Sequence, residues 1–176
     1  METSDNDIIQ QMHSNPQVGM KLLMDQYQER LYWHIRRLVV SHADAQDLLQ
    51  ETFLKAYRSF DTFRGQSSLY SWLYRVATNL CLTHLRRQPP PGGPLEDVRG
   101  VKADDYFEFS DREALALQEA IHSLPPRQQA VFCMRYYDEM PFRQIAEANG
   151  TTENAAKANY HFAKTRICEI LKDLKI

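Results

Sequence analysis

The sequence predicts an all-α fold of two small helical domains joined by a linker. Three observations carry this. Apolar residues recur at helical spacing through both halves of the chain. Proline and glycine concentrate in one stretch, Pro89-Pro90-Pro91-Gly92-Gly93-Pro94, which cannot continue a helix. The last 40 or so residues read as a short helix, a tight turn and a long helix, the pattern of a helix-turn-helix. The 176 residues suit one domain or two small ones, and 43% hydrophobic with 25% charged residues is an ordinary globular composition. The expected division is 1–87, a joint over 88–110 that turns acidic and aromatic at Asp104-Asp105-Tyr106-Phe107-Glu108-Phe109, and 111–176.

In the first block, Asp44 to Phe60 is strongly amphipathic. Leu49, Phe53, Ala56 and Phe60 are expected to face a core. Asp47, Gln50 and Glu51, followed by Lys55 and Arg58, make a polar stripe interrupted by Leu54, an apolar spot that a partner could cover. The same stripe also fits a simple solvated face. Asp61 to Ser68 reads as a loop, with Ser68 as a helix cap.

The helix expected over Leu69–Arg87 holds Arg75, Arg86 and Arg87 and no acidic residue. Trp72, Arg75, Asn79 and Arg86 share one face, and Leu69, Leu73, Val76 and Leu80 another. Cations hold phosphates and aromatic rings stack on unpaired bases, so this face has the chemistry of a single-strand binder. A half-buried Trp72 among solvating arginines is the competing reading.

In the second block, helices are expected over Asp111–Ser123 and from about Pro126 to Tyr137, with Ala130, Val131 and Met134 inward. A short helix from about Pro141 to Ala148 follows, with Pro141 in its first turn. Gly150 suits the left-handed backbone after a helix end, and Thr152 can cap the final helix. On that helix Ala156, Tyr160, Ala163, Ile167, Ile170 and Leu174 form the expected buried stripe. Asn154, Lys157, Ala158, His161 and Thr165 form the outer face, and the early residues of such a helix enter the major groove. A helical hairpin with no DNA role has the same local pattern.

Other classes are weakly supported. A net charge of -2 argues against nucleic-acid binding through bulk charge alone. Cys81, Cys133 and Cys168 are far apart and form no C-x-x-C pair, so no disulfide framework or zinc site is expected, and all three read as small buried hydrophobes. No phosphate loop or nucleophile elbow is present, so neither cofactor nor catalytic residue is expected. No apolar run reaches about 18 residues, and Met1–Asp7 is polar, so a cytoplasmic protein without membrane insertion is expected.

The chain resembles the extracytoplasmic function (ECF) sigma factors of bacterial RNA polymerase. The resemblance runs through Asp44-Ala45-Gln46-Asp47-Leu48-Leu49-Gln50-Glu51-Thr52-Phe53, Phe63-Arg64-Gly65 and Ser71-Trp72-Leu73-Tyr74-Arg75-Val76-Ala77-Thr78-Asn79-Leu80. It resumes at Leu124-Pro125-Pro126-Arg127 and continues through Gln144-Ile145-Ala146-Glu147 to Lys157. It implies a promoter-recognition subunit rather than an enzyme. By resemblance, Asp47, Gln50, Glu51 and Leu54 contact core RNA polymerase. Arg64, Trp72, Arg75, Asn79 and Arg86 open promoter DNA and hold the minus-ten element. Asn154, Lys157, Ala158, His161, Phe162 and Thr165 read the minus-thirty-five element as duplex. An anti-sigma factor is the implied regulator. Ala155-Ala156-Lys157-Ala158-Asn159 departs from the Thr-Val-Lys-Ser-Arg frequent in the family, and Phe162 replaces a frequent arginine, which bears on the promoter sequence read. The competing class is a stand-alone, dimeric helix-turn-helix regulator, which leaves the Trp72 face and the Asp47 stripe without a purpose.

Overall fold

The computed structural model describes residues 3–88 and 112–174. The Pro/Gly run and the acidic stretch of the joint lie outside the described residues. Among the described residues there is no strand, and eight α-helices carry the fold. The N-terminal four are α1 (Asp5–Ser14), α2 (Pro16–Leu38), α3 (His42–Ser59) and α4 (Leu69–Arg87), with a 3-10 turn at Phe60–Thr62. The C-terminal four are α5 (Arg112–His122), α6 (Pro126–Tyr136), α7 (Phe142–Asn149) and α8 (Glu153–Asp173).

Local chemistry sets the helix ends. Ser4 and Asp7 form a capping box on α1. The hydroxyls of Ser41, Ser68 and Thr152 accept from the backbone N–H of Asp44, Ser71 and Ala155, starting α3, α4 and α8. Pro141 stands at the N-cap of α7, one place before the first turn where the sequence put it, so α7 begins at Phe142. Gly150 ends α7 with φ 64°, and Thr151 N–H donates to Ala146 O at 3.0 Å.

In the N-terminal bundle α2 is the central helix, packed by α1, α3 and α4. Gly19 is the close-approach point: a Cβ there would overlap the backbone of Gln11 and Met12, so α1 lies directly on the α2 backbone. Leu23, Leu31, Ile35, Leu73 and Tyr74 fill the centre and are fully buried. In the C-terminal block α8 packs on α5, α6 and α7, and Ala146, Ala156 and Ala163 let the helices approach closely.

Several expected core positions move. Leu48, not Leu49, is fully buried on α3; Leu49 is half-buried, because α2 and α4 embrace α3 through Ala45, Leu48 and Thr52. On α8, Tyr160 and Ile170 are half-buried and Leu174 is 45% exposed, since the last turn runs beyond the helices that could cover it. Cys168 is exposed, contrary to expectation, because its position on α8 falls outside the Ala156–Ala163–Ile167 stripe.

The two blocks are packed together. α4 lies along α7, and α2 and α4 meet α6.

Candidate polymerase and nucleic-acid interfaces

On α3, Asp47, Gln50, Glu51 and Leu54 are all exposed on one side of the bundle. Leu54 is 55% exposed and Tyr57, one turn further along the helix, 49%. Met20, Met24 and Tyr57 line a shallow groove beside them with Lys21 and Asp25. The result is an exposed apolar strip rimmed by carboxylates, the kind of patch that is common at protein interaction sites.

The second candidate site lies on α4 and the loop before it. Trp72 is half-buried, its ring 5.3 Å from Phe63 and 6.0 Å edge-on from Phe60. One side of the ring seals the end of the bundle, and the rest lines a cleft shared with Arg64, Arg75, Glu147 and Gly150. Arg75, Asn79 and Arg86 are exposed along the same helix. Arg64 is exposed in the loop beside Gly65, whose φ of 67° turns the chain. Arg86 also sits in the last turn of α4 with His84 and Arg87, where cations favour the helix dipole.

The third is the outer face of α8. Asn154, Lys157, Ala158, His161, Phe162 and Thr165 are exposed, with Phe162 at 59%. Lys157 Nζ pairs with Glu153 at 3.1 Å, an exposed i,i+4 pair worth little and easily exchanged for a phosphate. Arg143 on α7 and Lys164 and Arg166 on α8 add exposed cations. Behind this outer face, Phe132, Tyr160 and Phe142 pack ring on ring and fix α8 against α6 and α7. His161 and Phe162 therefore ride on a rigid helix.

Periodicity gave no sign of the groups between the two blocks. His34 is fully buried in α2, with Nε2 2.9 Å from Thr78 Oγ1 and Nδ1 3.5 Å from Asp138. Arg37 donates to the other Asp138 oxygen at 3.0 Å and lies 4.5 Å from the Tyr137 ring centre. Gln129 donates to the Arg37 and Leu38 carbonyls at the end of α2. His122 lies beside Gln129, and burial, helped by the nearby Arg36 charge, lowers its pKa to about 4. Burial pushes the Cys81 and Cys133 thiols up to about 12, so both act as apolar filler.

The sequence matches the family descriptions "Sigma-70 region 2" over residues 23–89 and "Sigma-70, region 4" over residues 114–167. The ECF RNA polymerase sigma-E factor of Escherichia coli K12 is 32% identical over 162 residues, with 82% of each chain covered. The chain belongs to the ECF sigma factors. The sigma-E factor of Salmonella typhimurium LT2 is equally similar. SigG of Mycobacterium tuberculosis H37Rv is 34% identical over 168 residues, and this sigma factor spans 45% of its length.

Solved structures share the fold. CnrH, in complex with the cytosolic domain of CnrY, superposes with a TM-score of 0.73 at 17% identity, over 96% of this chain and 97% of that one. RpoE from Bartonella quintana, in complex with the anti-sigma factor NepR, gives 0.67 at 22% identity, over 86% and 96%. Among the described residues no helix is long and apolar enough to cross a membrane, and no group of His, Cys, Asp and Glu could hold a metal.

Proposed function

We propose that this chain is a promoter-recognition and initiation subunit of bacterial RNA polymerase. The observation that carries the reading is the pairing of two surfaces in one chain. One is the acid-free α4 with half-open Trp72 and exposed Arg75 and Asn79, suited to unpaired DNA. The other is the outer face of α8 behind the α7–Gly150 turn, suited to a major groove. A stand-alone operator-binding regulator has use only for the second.

The division of labour follows the blocks. Residues 1–87 bind the core polymerase through Asp47, Gln50, Glu51 and Leu54, and open and hold the minus-ten element through Arg64, Trp72, Arg75, Asn79 and Arg86. Residues 88–110 connect. Residues 111–176 read the minus-thirty-five element through Asn154, Lys157, Ala158, His161, Phe162 and Thr165. The chain works in the cytoplasm and performs no catalysis itself; the polymerase makes the transcript. That RpoE from Bartonella quintana was solved in complex with the anti-sigma factor NepR supports regulation by a protein of that kind.

The test is reconstitution. The purified chain added to core polymerase is expected to co-migrate with it and start transcripts without another sigma factor. Failure to bind core polymerase, with specific binding of the free chain to a two-fold DNA site, would establish the regulator instead. A promoter library randomised upstream then separates the roles on α8. Lys157→Ala weakens all upstream sequences alike if Lys157 holds a phosphate, or relaxes one position at a cost of about 1–3 kcal/mol if it reads a base. Phe162→Arg is expected to change the preferred upstream sequence, because an arginine fork reads guanine and a phenyl ring can only press on a thymine methyl.

A further inference from the structure

We infer that the cleft between the two blocks is a binding site for a nucleoside polyphosphate. The site needs only the groups that line the cleft, whether or not those groups also meet promoter DNA.

The cleft has a volume of about 570 Å³ and is walled by both blocks. The loop before α4 supplies Phe63 and Arg64, and α4 supplies Trp72 and Arg75. Facing them are Arg143 and Glu147 of α7 and Glu153 of α8. Small-molecule sites favour clefts of this size at junctions between domains.

The charges select an anion. Each carboxylate of the cleft has its own cation: Arg143 Nε lies 3.7 Å from Glu147, and Lys157 Nζ 3.1 Å from Glu153. Arg64 and Arg75 have no ion pair and no hydrogen bond among the described residues. Two guanidinium groups in one cleft are therefore uncompensated. Arg143 is a third, held only by an exposed pair that is worth little and is readily exchanged for a stronger anion. A guanidinium fork matches a phosphate bidentately. Several forks lining one cleft suit a chain of phosphates better than a single carboxylate.

Ring surface adjoins these cations. Phe63 and Trp72 line the same cleft, with their ring centres 5.3 Å apart. Packing already holds the half-buried Trp72, so little freedom is lost when a flat base contacts it. The Gln66 amide and the Ser67 hydroxyl also line the cleft and have no partner among the described residues. Both can hydrogen-bond a ribose hydroxyl or a base edge. An inorganic polyphosphate uses the guanidinium groups alone, and a neutral aromatic uses the rings alone. A nucleoside polyphosphate uses both. Because Arg143 belongs to one block and Arg64, Trp72 and Arg75 to the other, such a ligand also stabilises the packing of the blocks by mass action.

The test is calorimetric titration of the full chain, without polymerase, with ATP, GTP, AMP and inorganic triphosphate at constant ionic strength. ATP or GTP is expected to bind one-to-one with a Kd below about 1 mM, roughly tenfold tighter than AMP or inorganic triphosphate. Arg64→Ala and Arg75→Ala are each expected to weaken that binding about tenfold, with helical content unchanged. Arg143→Ala is expected to weaken it about threefold, since its pair with Glu147 must first open. Lys172→Ala removes an exposed cation in the last turn of α8 and is expected to change nothing. In a Trp33→Phe background Trp72 is the sole tryptophan, and the nucleotide, but not inorganic triphosphate, is expected to quench its fluorescence. No binding of ATP or GTP up to about 10 mM overturns the site. Inorganic triphosphate that binds as tightly as ATP overturns the nucleotide class. Unchanged affinity in Arg64→Ala and Arg75→Ala overturns the location, unchanged affinity in Arg143→Ala overturns the bridging of the blocks, and equal weakening by Lys172→Ala reduces the binding to general charge attraction and overturns the inference.

Discussion

Gly150 turns the chain between α7 and α8, and replacing it isolates one physical term. Its backbone is left-handed, φ 64° and ψ 37°. An L-residue with a Cβ pays about 1–2 kcal/mol there. The new Cβ would also meet Arg75 Nη2 at 3.0 Å. That neighbour is the end of a flexible side chain and can move aside, so the backbone term dominates. Gly150→Ala is expected to lower stability by about 1–2 kcal/mol, or Tm by roughly 2–8 °C for a chain of this size. Gly150→Asn is expected to lose less, because Asn tolerates this region. The assay is urea unfolding followed by circular dichroism, repeated in an Arg75→Ala background. The same loss in both backgrounds supports the backbone account. A loss that vanishes when Arg75 is shortened assigns it to the steric contact instead, and no loss in either refutes the reasoning.

Glu51→Lys reverses an exposed charge on α3 and is expected to weaken core-polymerase binding while changing stability by less than about 0.5 kcal/mol, measured by co-migration and thermal unfolding. Asn79→Ala removes an amide able to hydrogen-bond an unpaired base and is expected to lower open-complex yield on duplex promoters with core binding intact, read by permanganate footprinting. His122 titrates near 4 when folded against 6.5 as a free side chain. The unfolded chain therefore binds the extra proton between these values, and the stability contribution is full above 6.5 and is lost as pH falls towards 4. The loss is on the order of 3 kcal/mol at most. Urea unfolding from pH 7.5 to 4.5 is expected to show a shallower decline for His122→Gln than for wild type.

Much was legible from the sequence because it was local. Helix caps at Ser68 and Thr152 need one hydroxyl beside the first turn. The left-handed Gly150 and the exposed faces of α3, α4 and α8 follow from residue type and helical spacing alone. The same locality explains the misses. Helical spacing gives a face to within one position, so it chose Leu49 where the packed bundle buries Leu48. It extended the stripe of α8 to Leu174, past the point where any helix covers it.

The contact between the blocks had no sequence signal. Asp138 and Arg37 lie 101 residues apart, and neither sits in an unusual local pattern. His34 has nothing in its own helix to mark it as buried against both Thr78 and Asp138. The sequence by itself determined which helices form and which chemistry each presents, because capping and amphipathicity act within a few residues. Which of those faces meets solvent and which meets the other block was decided only by the tertiary structure, because burial of a charged pair depends on partners that the chain brings together from far apart.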